Sequence, residues 1–179
     1  MPITSKHISQ TVKTYLTVRP EYVDELKMVT DLLDAGVDIT PRKEFRGHAT
    51  AGAVLVNDDG LVLQIRHKGL GRWLLPGGHL ESGDESLRGA ALRELSEETG
   101  FNLELVSEDG EDPIHVDVHR IPANPGKGEP DHHHFDFRFL FRTSGDVGAL
   151  QTEEVTGADW LSVDALQSPL RDHVRAAIA

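Results

Sequence analysis

The chain has no cysteine among its 179 residues. That one absence removes disulfides, thiolate zinc centres, iron–sulfur ligation and cysteine nucleophiles together, so any metal has to be held by oxygen or imidazole. No apolar run approaches the roughly 20 residues needed to cross a bilayer, and a membrane protein is not expected. Positive charge is scarce. Against 30 Asp and Glu stand 18 Lys and Arg, a net charge of −12 with histidine neutral, and no long basic stripe is there to follow a phosphate backbone. Duplex nucleic acid is therefore not an expected partner. The first thirty residues carry Lys6, Lys13 and Arg19 with no continuous apolar segment, so they do not read as a secretory leader and a cytoplasmic location is expected. Also missing are a Gly-x-x-x-x-Gly-Lys phosphate loop, a dinucleotide fingerprint after a strand and a Gly-x-Ser-x-Gly nucleophile elbow.

What remains has the composition of a soluble globule, 38% hydrophobic and 27% charged, with the length of one domain. Residues 1–19 read as a polar leader. After Pro20, the residues Val23, Leu26, Val29, Leu32 and Leu33 recur at helical spacing and predict a helix ending near Gly36. Ala49–Val56 and Leu61–Ile65 predict a hairpin around Asn57-Asp58-Asp59-Gly60. Trp73-Leu74-Leu75 predicts a short strand, with Trp73 in the core, followed by a glycine-rich loop to Asp84. Residues 85–98 are rich in helix formers, with Gly100 placed as the C-terminal cap. Strands are expected at Phe101–Val106, Ile114–Ile121, His132–Arg142 and Gly157–Leu161, then short helices at Val163–Leu166 and Leu170–Ile178. Strands grouped on both sides of one central helix favour an α+β class. The expected organisation is an N-terminal helical extension over 1–44 and a main domain over 45–179.

The informative stretch runs Gly77-Gly78-His79-Leu80-Glu81-Ser82-Gly83-Asp84-Glu85, then Arg93-Glu94-Leu95-Ser96-Glu97-Glu98-Thr99-Gly100. At about 100° per residue, Glu94, Glu97 and Glu98 fall within an arc of about 100° that also carries Leu87 and Ala91. The acids are thus aimed at the protein body or a cleft. Like charges so spaced destabilise a helix by ~0.2–0.5 kcal/mol per pair, unless a cation offsets them. All-oxygen ligation favours Mg²⁺ or Mn²⁺, which take phosphate oxygens from a substrate, and a carbonyl of the glycine-rich loop could complete such a set. The opposing reading is an ordinary solvated acidic face.

The combination of the Gly-Gly loop, Glu85, Arg93-Glu94, Glu97-Glu98 and Gly100 resembles the signature of the Nudix hydrolases. From Glu85 to Gly100 the pattern matches throughout. Phe101 replaces the final aliphatic residue, and six residues instead of five separate Gly78 from Glu85. The resemblance implies an α/β/α sandwich around a mixed sheet and hydrolysis of a nucleoside diphosphate linked to another group, using Mg²⁺ or Mn²⁺. It implies Gly77, Glu94, Glu97 and Glu98 as metal ligands, with Glu94 and Glu98 catalytic. Arg93 would orient helix and loop through Glu85, and Glu154 or Glu153 is an alternative base to Glu94. Nucleoside triphosphates, nucleotide sugars, ADP-ribose and dinucleoside polyphosphates are all compatible substrates. The N-terminal helix could cover the cleft, extend the sheet or make a homodimer.

A second polar group lies on two later strands. His115, Asp117 and His119 alternate onto one face, as do His132, His134, Asp136 and Arg138, while Phe135, Phe137, Phe139 and Phe141 take the opposite face and pack the core. Antiparallel pairing would set His115 near Asp136 and Asp117 near His134. A solvated sheet face, a wall of the substrate cleft and an independent His/Asp metal site all fit. As cleft wall, His134 and Arg138 would bind substrate, joined by His79 from the glycine loop and Lys127 from the Pro122–Asp131 loop. Against the pyrophosphohydrolase stand a nucleotide-sensing domain without turnover, a zinc hydrolase on the His/Asp strands and a purely structural acidic protein.

Overall fold

A computed structural model describes residues 2–108, 110–150 and 155–179. Helix α1 spans Ser5–Val18 and helix α2 spans Lys27–Asp34. The strands are β1 His48–Asn57, β2 Leu61–His67, β3 Arg72–Leu74, β4 Gly77–His79, β5 Val106–Glu108, β6 His115–Ile121, β7 His132–Thr143 and β8 Val155–Ser162. Helix α3, Leu87–Thr99, lies between β4 and β5, and α4, Leu170–Ile178, follows β8.

All eight strands join one mixed sheet, in the path β3-β2-β1-β7-β5 with β4 on β1, β6 on β7 and β8 on β2. Its centre is the parallel pair β1 and β7, in which His48 opposes His134 and Thr50 opposes Asp136. Alternation then sorts the side chains. Ala49, Ala51, Ala53 and Leu55 share a core with the four phenylalanines of β7 and with Leu87, Ala90, Ala91 and Leu95 of α3. The small alanines let α3 lie close to the sheet. Val54, Val56 and Leu140, on the other side, pack with Leu170 and Val174 of α4. Helices therefore cover both faces, giving the α+β class read from the element order and the α/β/α sandwich around a mixed sheet that the resemblance implies.

Several sequence expectations need correction. The polar leader is a helix: Thr4 caps it by accepting from the His7 amide, and Ile8, Val12 and Tyr15 form a buried stripe. That stripe joins the same core as α3, which supplies the burial a short helix needs. The helix expected after Pro20 is broken into a 3₁₀ turn at Pro20–Tyr22 and the shorter α2. Gly77–His79, read as loop, is a strand paired antiparallel with β1. Between Phe101 and Leu105 a 3₁₀ turn at Leu103–Leu105 replaces most of the expected strand. Trp73 is 40% exposed, since β3 is an outer strand, bonded only to β2. Strands β6 and β7 pair with Asp117 opposite Asp136 and His119 opposite His134, two residues from the expected register. A shift of two keeps every side chain on its face.

Candidate functional site

Helix α3 starts where the sequence marks it. The Ser86 hydroxyl accepts from the Gly89 amide, and Gly100 closes the helix in the left-handed region at φ 62°, which a glycine adopts without Cβ strain. Between these caps the three glutamates grade inward. The Glu97 side chain is 50% exposed and that of Glu94 15%, whereas Glu98 as a residue is 5% exposed. The helical phase explains this order, since Glu97 lies at the margin of the arc that contains Leu87 and Ala91.

Strand β4 fits against these acids because it has no side chains where it meets them. A Cβ at Gly77 would come within 2.7 Å of the Ala51 carbonyl oxygen and 2.8 Å of the Gly52 Cα, and a Cβ at Gly78 within 2.6 Å of Glu94 Oε1. The Gly77 amide donates to Glu98 Oε2 at 3.0 Å, so the buried carboxylate fixes the peptide at the mouth of the loop.

Arg93 organises the remainder. Its Nε and Nη2 donate to the two Asp84 oxygens at 2.9 and 3.0 Å, Nη2 also reaches the His79 carbonyl, and Nη1 donates to both Glu94 and Glu97 at 3.0 Å. The loop-orienting role expected of Glu85 thus falls to Asp84. With five residues between them, the position that follows Gly78 in the motif is Asp84, which is buried, while Glu85 is exposed. The additional residue in the motif is Glu85 itself, and it leaves the phase of the helix unchanged. Asp84 also accepts from the Glu81 amide at 2.7 Å.

The electrostatics follow from these contacts. Burial raises the Glu94 pKa, and the adjacent Arg93 only partly reverses the effect, so this carboxyl holds a proton more readily than an ordinary one. Burial acts against Asp84 too, yet the Arg93 hydrogen bonds and the Glu81 amide outweigh it and the net shift is downward. Arg93 already offsets the mutual repulsion of Glu94 and Glu97, so like-charge crowding alone does not call for a metal ion here.

The other face of the sheet carries the His/Asp group. Arg138 donates to Asp136 at 2.8 Å and to Asp117 at 3.4 Å, Thr50 donates to Asp136 at 3.1 Å, and His119 Nδ1 lies 2.7 Å from Asp117. The guanidinium offered as a substrate cation is therefore already neutralised by two carboxylates. Lys127 sits exposed on a 3₁₀ turn at Pro125–Lys127, at the tip of the β6–β7 hairpin. His134 and His79 come together, with ring centroids 5.1 Å apart, and His48 lies 4.8 Å from His134 and 5.1 Å from His79. Glu153 and Glu154 lie outside the described residues.

A model of the NUDIX domain matches residues 46–178. The chain belongs to the Nudix family. Among its curated relatives, an RNA pyrophosphohydrolase of Erythrobacter litoralis is 41% identical over 66 residues, covering 35% of this chain and 40% of the relative. An m7GpppN-mRNA hydrolase of Xenopus laevis is 32% identical over 131 residues, covering 66% and 43%. This chain spans less than half the length of either relative. Among solved structures, a NUDIX-family hydrolase of Clostridium perfringens superposes with a TM-score of 0.55 at 23% identity, over 73% of this chain and 95% of that one. A MutT NUDIX hydrolase of Burkholderia pseudomallei gives 0.50 at 26% identity, over 74% and 95%.

Within this Nudix domain, sequence reasoning located the helix acids and the glycines but missed two participants. Asp84 was signalled by the five-residue spacing and passed over for the glutamate next to it. His48 stands at the start of β1 with no local pattern, and only the parallel register with β7 brings it to His134.

Proposed function

We propose that this chain hydrolyses the diphosphate linkage of a nucleoside diphosphate joined to a second group, with Mg²⁺, or Mn²⁺ in its place, held by Glu94, Glu97, Glu98 and the Gly77 carbonyl. On this reading residues 45–179 form the catalytic unit and 1–44 an extension of it. The observation that carries the proposal is the fit of β4 to the helix acids: the Glu94 carboxylate fills the space that a Cβ at Gly78 would need, and Glu98 grips the Gly77 amide. The donor chemistry suits a hard cation, being all oxygen, and Glu97, half exposed, can swing from Arg93 towards an ion. The named activities of the relatives, pyrophosphohydrolase and mRNA-cap hydrolase, support the reaction class.

When bound, the ion supplies activation of a water molecule and neutralises charge on the departing phosphate. The chain's own residues do the rest. Arg93 ties the loop to the helix through Asp84 and the His79 carbonyl. Glu98 accepts from the Gly77 amide and so fixes the backbone next to the Gly77 carbonyl. Glu94, whose burial favours its protonated form, takes the proton of the attacking water, with Glu154 or Glu153 the alternative base. Phosphate recognition would rest on the cation that these carboxylates would hold, because Arg138 is neutralised and Lys127 stands out on the hairpin tip.

The test is incubation of the full chain with Mg²⁺ and a panel of nucleoside triphosphates, nucleotide sugars, ADP-ribose and dinucleoside polyphosphates in ¹⁸O-labelled water, with products identified by mass. Cleavage of an anhydride bond with label on one phosphate is expected, and it identifies the phosphorus attacked. Binding of a nucleotide without turnover would instead make the chain a sensing domain and overturn the proposal.

A further inference from the structure

The three imidazoles of His48, His79 and His134 stand apart from the carboxylate chemistry. His48 and His134 face each other across the parallel β1–β7 pair, and His79 opposes Thr50 on the antiparallel β4. All three rings therefore leave the face of the sheet opposite to the one under α3. One ring nitrogen from each lies within 4.8 Å of the other two.

Two of the three rings carry a nitrogen that the described residues leave unoccupied. His48 is 1% exposed. Its Nδ1 lies 3.2 Å from the Glu44 carbonyl, a contact that only an Nδ1–H can make, so the Nε2 lone pair points the other way. That Nε2, and the Nε2 of His134, are buried without a hydrogen-bond partner among the described residues. Buried polar atoms are normally paired, because an unmet lone pair loses its water with nothing gained in return. A carbonyl that fixes the tautomer from behind is also the usual companion of a metal-bound histidine. His132 stacks on His48 with centroids 5.0 Å apart, and its own Nδ1 is 2.8 Å from the Pro130 carbonyl, so it buttresses the cluster. Burial keeps the His48 and His134 rings neutral by lowering their pKa values, that of His134 to about 3, and the neutral ring is the form that ligates.

We propose that His48, His79 and His134 form a three-imidazole site for a zinc-class divalent cation, separate from the carboxylate site on α3. Imidazole is a borderline donor that suits zinc and other late transition metals better than magnesium. A tetrahedral ion with Zn–N of about 2.0–2.1 Å sets its donors about 3.3 Å apart, so the rings need to close by no more than about 1.5 Å from the present limit. Three protein ligands leave a fourth position to water or to an oxygen of a bound molecule, as in open zinc sites. The site would also clamp β4 to the two central strands, at the residue directly after Gly77-Gly78. This inference does not depend on the hydrolase proposal.

The test uses full-length chain without a polyhistidine tag, stripped with chelator and titrated with Zn²⁺ or Co²⁺ alone. One ion per chain is expected, with Co²⁺ giving the intense visible bands of four-coordination, and the Nε2 resonances of His48 and His134 should shift on Zn²⁺ addition in the unmodified protein. His48→Gln and His134→Gln should each weaken binding at least tenfold, with folding of both checked by circular dichroism. The double variant Glu97→Gln/Glu98→Gln should bind Zn²⁺ as the unmodified chain does. Absence of stoichiometric binding, unmoved Nε2 resonances, or loss of Zn²⁺ in the carboxylate variant would each overturn the proposal.

Discussion

Strand β4 divides two kinds of buried polar chemistry. On the α3 side the groups are charged and mutually satisfied: Arg93 meets Asp84, Glu94, Glu97 and a carbonyl, and Glu98 meets an amide. On the opposite side, beside the Arg138–Asp136–Asp117 ion pairs, the groups around His79 are the neutral imidazoles of His48, His79 and His134, and two of their nitrogens have no partner among the described residues. The charged side is held together by the protein alone and can lend its acids to chemistry; the neutral side is arranged around donors the protein does not use. On the two proposals, the sites that meet at His79 would take different ligands, a hard cation on one side and a borderline one on the other.

The largest expected effect is on the charged side. Glu98→Gln keeps an oxygen that can accept from the Gly77 amide but loses the negative charge, so turnover should fall about 100-fold or more with little change in the melting curve. Steady-state kinetics beside thermal denaturation reads both, and retained activity would break the contrast. The adjacent glycines separate packing from chemistry. Gly77→Ala drives a Cβ into the backbone of Ala51 and Gly52 and should destabilise by about 3 kcal/mol. Gly78→Ala meets the movable end of Glu94, so it should cost turnover about tenfold and stability by less than half as much, measured by urea titration.

The two sides also differ in how visible they are in the sequence. Glu94, Glu97 and Glu98 are neighbours along a single helix, so their convergence is a matter of local spacing, and the caps at Ser86 and Gly100 fix the ends of that helix. The faces of β6 and β7 were legible for the same reason, because alternation is local. The His48–His79–His134 group draws on three strands whose pairing spans 86 residues between His48 and His134, and no short-range pattern encodes a parallel register. Helix α1 was hidden by its polar composition even though Ile8, Val12 and Tyr15 carry helical spacing, since its stability comes from the core it joins. Arg138 reads as an available cation although Asp136 lies two residues away on the same face of its own strand; the second carboxylate, Asp117, reaches it only through the β6–β7 register.

Asp84 and Glu85 sharpen the comparison at smaller magnitude. Because the folded Asp84 pKa is depressed, its contribution to stability is present above the unfolded value of about 3.9 and disappears as pH falls through the folded value. Asp84→Asn should therefore cost about 2–3 kcal/mol at neutral pH, and the gap to the unmodified chain should narrow as the solution is made more acidic than about pH 4. Glu85→Gln, at an exposed position, should leave stability nearly unchanged. Denaturant titrations of the three proteins between pH 3 and 7 give the comparison, and equal behaviour of the two variants would return the loop-orienting role to Glu85.

The effect at Glu94 has the opposite sign. Burial raises the folded pKa of Glu94 above the unfolded value of about 4.3, so the ionised form is disfavoured by folding. Stability should then fall as pH rises from the unfolded pKa through the folded one. Glu94→Gln removes that penalty and is expected to stabilise the chain by up to about 1 kcal/mol at pH 7, with no gain at pH 4, while turnover is lost. Glu97→Gln, which breaks only a half-exposed pair with Arg93, should move stability by about 0.5 kcal/mol or less. A buried acid that weakens the fold is what the proposed proton transfer would require; a Glu94→Gln protein less stable than the unmodified chain at pH 7 would mean that the Arg93 contact, and not burial, decides the energy of this carboxylate.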